Sequence, residues 1–284
     1  MVKAEASGAD AVILDLEDSV PAASKEEARS LVARTITELK GRGGAALWVR
    51  VNGRASGLME EDLRAVVEPG LAAISLPKVE SVEEVHAAAR LIEEREEALG
   101  MPRGSVEIVL MIESALGVYR TFELARASER VAATCLAGAR DGDLQTDLGC
   151  SWSIEGTELL YARSKVLLDT RAAGSRLLPL DGVFSDLGDE EGLFADCRLS
   201  ARLGYLGRTV IHPKQIGPVR RAYAVPQIEV AYYKRVVAEF AAALKAGAAA
   251  ITVDGKLVDY AMAERAKRVL DLAKLDADNL DAEN

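Results

Sequence analysis

Histidine is almost missing from this sequence. His86 and His212 are the only two in 284 residues, too few for a histidine-rich transition-metal site. Cysteine is nearly as scarce: Cys135, Cys150 and Cys197 are widely spaced and form no Cys-x-x-Cys pair, so neither a disulfide framework nor a zinc site is suggested, and a reducing compartment is expected. There is no Gly-x-Ser-x-Gly elbow, and Cys150 has no evident histidine partner, which disfavours covalent acyl chemistry. No apolar run is long enough to cross a bilayer, and no charged segment followed by an apolar stretch opens the chain, so the expected location is cytoplasmic with no membrane partner. Positive charge is also short. With 45 acidic against 35 basic residues and a net charge of −10, nucleic acid is not an expected partner, and an anionic ligand must meet a local basic patch.

Apolar sequence is plentiful, at 49% hydrophobic residues, enough for one large core. It arrives as β-branched-rich runs separated by helical stretches. The most telling run, Val106–Ile112, stops abruptly on Glu113 and turns into a helix at Ser114. Similar runs over 11–17, 46–52, 72–77, 131–138, 180–186 and 207–212 bring the predicted strands to seven. Helices are predicted over about 24–40, with Ser24 capping and Glu27 at the box position, and over 59–68, up to 99, after Ser114 and over 154–173. The cluster Gly41-Arg-Gly-Gly44 precedes a strand instead of following one, so it reads as a loop and not as a phosphate-binding fingerprint.

Strands alternating with helices imply right-handed βαβ units on a parallel sheet. The polar residues choose between an open sheet and a barrel. Asp15 and Glu17, Arg50 and Asn52, Lys78 and Glu80, Glu113, Asp143, Asp186 and His212 all fall at or just beyond the carboxyl end of an apolar run. A barrel gathers such groups from many strands into one mouth, whereas a doubly wound sheet concentrates them at a switch point. The expected fold is therefore α/β, a TIM (β/α)8-type barrel over 1–222 lacking its first β-strand. That strand is expected to precede Met1, because Lys3–Gly8 reads as the end of a helix. Beyond His212 a short helix near 216–222 and a longer one over 226–245 are expected, then strands at 250–253 and 257–259 around Asp254-Gly255 and a final helix; residues 223–284 form an expected C-terminal helical extension packing on the barrel or on a neighbouring subunit.

Glu113 and the loop acids Asp141, Asp143 and Asp147 follow neighbouring strands and offer hard oxygen ligands, suited to Mg²⁺ or Mn²⁺. Two plain alternatives stand beside this: a solvated acidic loop, and a Glu113 that serves only the start of the next helix. A metal beside Arg50 points to stabilisation of an oxyanion, either an enolate or a chelated 2-oxo acid. Arg50 inside an apolar run requires a partner such as Glu17 or a bound anion. Lys78 reads either as a Schiff-base lysine or as an ion-paired one, the second favoured by its place outside the apolar run, and His212 reads equally as a general base or as a structural histidine.

At these residues the sequence resembles the HpcH/HpaI aldolase and citrate lyase beta subunit family, in its CoA-ester lyase branch. The resemblance rests on Gly8–Pro21 (GADAVILDLEDSVP), Arg50–Gly53 (RVNG), Leu76–Ser81 (LPKVES), Met111–Ser114 (MIES), Gly142–Gly149 (GDLQTDLG), Glu158–Ser164 (ELLYARS), Leu180–Leu187 (LDGVFSDL), Thr209–Ile216 (TVIHPKQI) and Asp254–Asp259 (DGKLVD). It implies Mg²⁺ held by Glu113 and Asp143, with Asp141 as a rival ligand, substrate bound by Arg50, Lys78, Asp15 and His212, and catalytic roles for Arg50, Glu17 and Asp259, the last from an adjacent subunit of a homo-oligomer, trimer or hexamer. The implied reaction cleaves a β-hydroxyacyl-CoA of the citryl-CoA or malyl-CoA type into an acyl-CoA and a 2-oxo acid. A metal-dependent 2-oxo acid aldolase without coenzyme A, a thioesterase on the same substrates, and a non-catalytic truncated barrel acting as a subunit are the alternatives.

Overall fold

The computed structural model describes residues 7–42 and 44–281, and its contacts divide the chain into two compact units that part between Ala222 and Tyr223. The first unit is an α/β fold on a curled sheet of seven parallel strands: β1 (Ala11–Asp15), β2 (Ala46–Arg50), β3 (Ala73–Leu76), β4 (Glu107–Ile112), β5 (Val131–Leu136), β6 (Leu178–Asp181) and β7 (Gly207–Arg208). Their order in the sheet is their order in the chain, with no reversal that would create a switch point. The intervening helices are α1 (Lys25–Leu39), α2 (Met59–Val66), α3 (Val82–Ala98), α4 (Ala115–Arg126), α5 (Asp143–Leu148), α6 (Leu160–Ala173) and α7 (Glu190–Leu203), followed by α8 (Ile216–Tyr223).

The sheet sorts its side chains by the two-residue period of a strand. Val12, Leu14, Leu47, Val49, Ile74, Leu76, Ile108, Leu110 and Ile112 join the main core with Ile36, Leu63, Ile92 and Leu124 from the helices. A fully buried Leu or Ile contributes about 1.5–3 kcal/mol, so this layer is the main stabilising term. The opposite face carries a smaller cluster of Ala73, Val109, Met111, Ala133 and Cys135, with Trp48 and Leu180 packed on it. Asp15 and Arg50 alternate with Val12, Leu14, Leu47 and Val49 and are register partners, with Ser75 the partner of Arg50 on β3. Glu113 stands two residues beyond Met111 and so continues that same face past the end of β4.

Several strand and helix ends differ from expectation. β6 stops at Asp181, not Asp186, and β7 stops at Arg208, because Leu180 and Asp181 pair only with Gly207 and Arg208. Ser24 caps nothing with its side chain; it ends a 3-10 turn (Ala22–Ser24) that runs into α1. The helix predicted from 154 begins at Leu160, and the polar loop after β5 contains the short helix α5. The helix end expected over Lys3–Gly8 lies largely outside the described residues.

The second unit consists of α9 (Gln227–Lys245), the antiparallel hairpin β8 (Ile251–Val253) and β9 (Lys256–Val258), and α10 (Tyr260–Asp281). Val236, Phe240, Val253, Val258, Ala263 and Ala266 form its core. Among the described residues no helix is long and apolar enough to cross a membrane.

Candidate active site

The carboxyl ends of β1 to β5 bring six of the expected residues together. Arg50 sits at the centre: Nε donates to Asp15 Oδ1 and Nη2 to Oδ2, both at 2.7 Å, and Nη1 lies 3.2 Å from Glu17 Oε2. This fork is the bidentate geometry that fixes a guanidinium in orientation as well as place. Burial alone would raise the Asp15 carboxyl, but the Arg50 hydrogen bonds outweigh it and hold Asp15 at about 2.

Lys78 supplies the second cation. Its Nζ lies 2.9 Å from Glu17 Oε1, 3.0 Å from Asp18 Oδ2 and 3.2 Å from Asp143 Oδ2. Burial would depress this amine, yet its bonds to Glu17 and Asp18 prevail and raise it, so Lys78 is a charged, ion-paired lysine and not the neutral amine Schiff-base chemistry requires. Its backbone has φ 52°, a strained left-handed conformation that costs about 1–3 kcal/mol in a non-glycine residue. That conformation accompanies a hydrogen bond from the Lys78 N–H to Glu113 Oε1 at 3.3 Å.

Glu113 is 7% exposed. Burial first, and then the negative charge of Glu17, push its carboxyl up to about 7. Ser114 next to it caps α4, accepting from the Gly117 N–H and donating to Glu80 at 2.5 Å, so Glu113 is not needed for that helix start. Asp143 opens α5 and is half exposed on the far side of Lys78.

Five carboxylates (Asp15, Glu17, Asp18, Glu113 and Asp143) thus face two cations. The donor set is entirely hard oxygen, and Glu113 is a buried carboxyl beside the negative charge of Glu17, so a divalent cation fits here. Among the described residues no trio of His, Cys, Asp or Glu is preassembled around a metal position. Mg²⁺ takes one or two protein carboxylates and completes its shell with water and substrate oxygens.

The other expected residues lie elsewhere. His212 does not end a strand; its Nδ1 accepts from the Lys214 N–H at 3.1 Å and caps the turn Pro213–Gln215. Asp141 points to solvent with φ 59°, its N–H bonded to Gln145. Asp147 accepts from the Ala115 N–H at 2.7 Å and so steadies the start of α4. Asp186 sits in the loop after β6, bonded to the Gly188 N–H. Asp259, in the second unit, accepts from the Met262 N–H at the start of α10.

Two groups escaped sequence reasoning. One is the buried set Arg163, Asp181, Asp196 and Arg208 at the end of β6, where Arg163 Nη2 lies 2.7 Å from Asp196 and 3.3 Å from Asp181. It borders a cavity of about 90 Å³ lined also by Arg140, Trp152 and Phe184. Asp181 inside the run 180–186 was its available signal. The other group, Lys25 with Asp62, has no local sequence signal at all.

Known proteins carry related sequences. The profile of the HpcH/HpaI aldolase/citrate lyase family matches residues 1–213. Citrate lyase subunit beta of Leuconostoc mesenteroides subsp. cremoris is 38% identical over 266 residues, covering 94% of this chain and 86% of that one. An L-malyl-CoA/beta-methylmalyl-CoA lyase of Cereibacter sphaeroides is 32% identical over 293 residues, covering 96% and 90%. The crystal structure of CitE from Mycobacterium tuberculosis in complex with magnesium, acetoacetate and coenzyme A superposes with a TM-score of 0.73 at 30% identity, over 95% of this chain and 91% of that one. The family match spans all five strand ends that build the carboxylate and guanidinium cluster, and with it the chain belongs to the HpcH/HpaI aldolase/citrate lyase family.

Proposed function

We propose that this protein is a Mg²⁺-dependent carbon-carbon lyase that cleaves a β-hydroxyacyl-CoA of the citryl-CoA or malyl-CoA type into an acyl-CoA and a 2-oxo acid. The observation that carries the reading is the Arg50 fork, held by Asp15 and facing Glu17, in a rim cluster that includes the buried Glu113. The relatives named lyases of such thioesters support it, as does the related structure that holds magnesium, an oxo acid and coenzyme A.

Glu113 and Asp143 are the residues to hold Mg²⁺. When bound, the ion supplies Lewis-acid stabilisation of negative charge on the oxygens of the forming 2-oxo acid. Arg50 orients the carboxylate and hydroxyl-bearing half of the substrate, and Lys78 and Asp15 keep the cluster in register. Glu17 takes the β-hydroxyl proton as that oxygen becomes a carbonyl. The bond between the carbinol carbon and the α-carbon of the thioester then breaks, its electron pair passing into the thioester enolate. Asp259 of an adjacent subunit returns a proton to that α-carbon, releasing the acyl-CoA.

The same reading completes the sheet as a TIM-type barrel. Its sequential strand order supports this, and so does Arg220 of α8, which follows β7 yet donates to the Gly8 carbonyl at 2.5 Å and lies 3.5 Å from Asp10 before β1. The enzyme works as a cytoplasmic homo-oligomer in which residues 223–284 serve the neighbouring site.

The test is steady-state turnover of citryl-CoA and malyl-CoA with Mg²⁺ by the wild type, Glu113→Ala and Arg50→Ala. Each variant is expected to lose at least about a hundredfold in rate, as loss of a transition-state charge partner does. Near-normal rates in both remove the mechanism.

A further inference from the structure

Behind the rim, a second set of polar groups holds the backbone that carries Glu17. Lys25, the first residue of α1, donates from Nζ to the Leu16 carbonyl at 2.6 Å, the Glu17 carbonyl at 2.8 Å and Asn52 Oδ1 at 2.8 Å. All three ammonium hydrogens therefore go to neutral oxygens. Asn52, buried, donates from Nδ2 to the Leu16 carbonyl at 2.9 Å and to Asp62 Oδ2 at 2.6 Å, while its backbone N–H meets the same Oδ2 at 2.8 Å. Asp62 of α2 is fully buried, and its Oδ1 accepts from Arg29 Nε at 2.6 Å. Lys25 and Arg29 are one helical turn apart on α1, so one helix face clamps both ends of this chain of bonds.

The arrangement answers a geometric need. The last ladder bond from β1 to β2 is Leu16 N–H to the Arg50 carbonyl at 2.8 Å, so strand pairing does not fix Glu17. Glu17 must nonetheless reach Arg50 at 3.2 Å and Lys78 at 2.9 Å with its two carboxylate oxygens. Three groups hold the carbonyls of residues 16 and 17 against that demand: the Lys25 ammonium, the Asn52 amide, itself held by Asp62, and the turn N–H of Val20 with its bond at 3.0 Å to the Glu17 carbonyl. A half-buried ammonium spent on neutral carbonyls is a poor stabiliser, because its desolvation is not offset by an adjacent anion. A geometric role accounts for it.

We infer that Lys25 is a positioning residue which, through Asn52 and Asp62, fixes the Glu17 carboxylate against Arg50 for the cleavage step; the inference rests on the lyase reading above. Lys25 Nζ bonds only the Leu16 and Glu17 carbonyls and Asn52, not the rim carboxylates or Arg50, so its effect is on the orientation of the reacting groups and not on binding.

The experiment compares wild type, Lys25→Met and Lys25→Arg in kcat, KM, melting temperature and crystal structure. Expected for Lys25→Met is a fall in kcat of at least ~10-fold with KM within ~2-fold of wild type, and recovery to within ~3-fold in Lys25→Arg, which restores the donors. A folded Lys25→Met with wild-type kcat overturns the inference, and so does an equal loss in Lys25→Arg. If wild type cleaves no acyl-CoA, the lyase reading fails, and the crystal structure of Lys25→Met decides the positioning claim alone: a Glu17 carboxylate displaced by ~1 Å or more supports it, and an unmoved one refutes it. Should Lys25→Met not fold, Lys25→Gln, which keeps a single donor amide, is read by the same criteria.

Discussion

Replacing Glu113 by glutamine should stabilise the metal-free protein at neutral pH while removing a group the reaction needs. Burial and the charge of Glu17 raise the Glu113 carboxyl from 4.5 to about 7, a difference of about 2.5. In the unfolded chain the same group titrates at its ordinary value. Between 4.5 and 7 the folded protein therefore keeps a proton that the unfolded chain has lost; stability falls as pH rises through this window and stays reduced above it. At about 1.4 kcal/mol per unit the full cost is about 3 kcal/mol, and movement of the Lys78 ammonium toward the charge lowers the expected value to about 1–3 kcal/mol. Glutamine keeps the shape without the charge. Urea unfolding of wild type and Glu113→Gln in EDTA should show the variant more stable by that amount at pH 8 and equal to wild type near pH 4.5. Saturating Mg²⁺ should then close the gap from the other side, raising wild type by about 2.7 kcal/mol at a hundredfold excess over Kd and leaving the variant unchanged. A variant less stable than wild type at pH 8, or a gain that does not depend on pH, refutes this account of the site.

Three further outcomes are expected. Asp15→Asn should cost about 2 kcal/mol at pH 7, since Asp15 lies at about 2 against an ordinary 3.8; that stability is present above 3.8 and lost as pH falls toward 2, so acid titration of unfolding should show the two proteins converging there. Arg163→Met should cost about 3–5 kcal/mol in thermal unfolding by leaving Asp181 and Asp196 buried around a single remaining arginine, Arg208; a loss under about 1 kcal/mol would contradict the pairing. Gly182→Ala should lower the melting temperature sharply, because an added Cβ would lie 2.4 Å from the Leu136 carbonyl oxygen, backbone that cannot swing aside; overpacking of this kind costs about 1–3 kcal/mol or more, and an unchanged melting temperature would count against the tight approach of β5 and β6.

The inner rim was legible because one rule governed it. A two-residue period puts Asp15 and Arg50 on one face of adjacent parallel strands, and an apolar run buried on both faces leaves Glu113 as its terminator. Where the rule lacked a partner strand, the reading strayed. The run 207–212 reads as a strand, but β6 offers pairing only to Gly207 and Arg208, so His212 falls in a turn and accepts from the Lys214 backbone N–H. α5 is too short to show a helical period and lies among glycines and aspartates that signal a loop. Lys25 was invisible for another reason: its partners are backbone carbonyls and an amide 27 residues away, a contact created by the sheet and encoded in no local pattern.

The central claim is tested most directly by product analysis of purified protein with citryl-CoA and malyl-CoA, each with Mg²⁺ and with EDTA. The account predicts one acyl-CoA, thioester intact, and one 2-oxo acid for every substrate consumed, only when Mg²⁺ is present. Free coenzyme A released without carbon-carbon cleavage, or cleavage undiminished in EDTA, would contradict it.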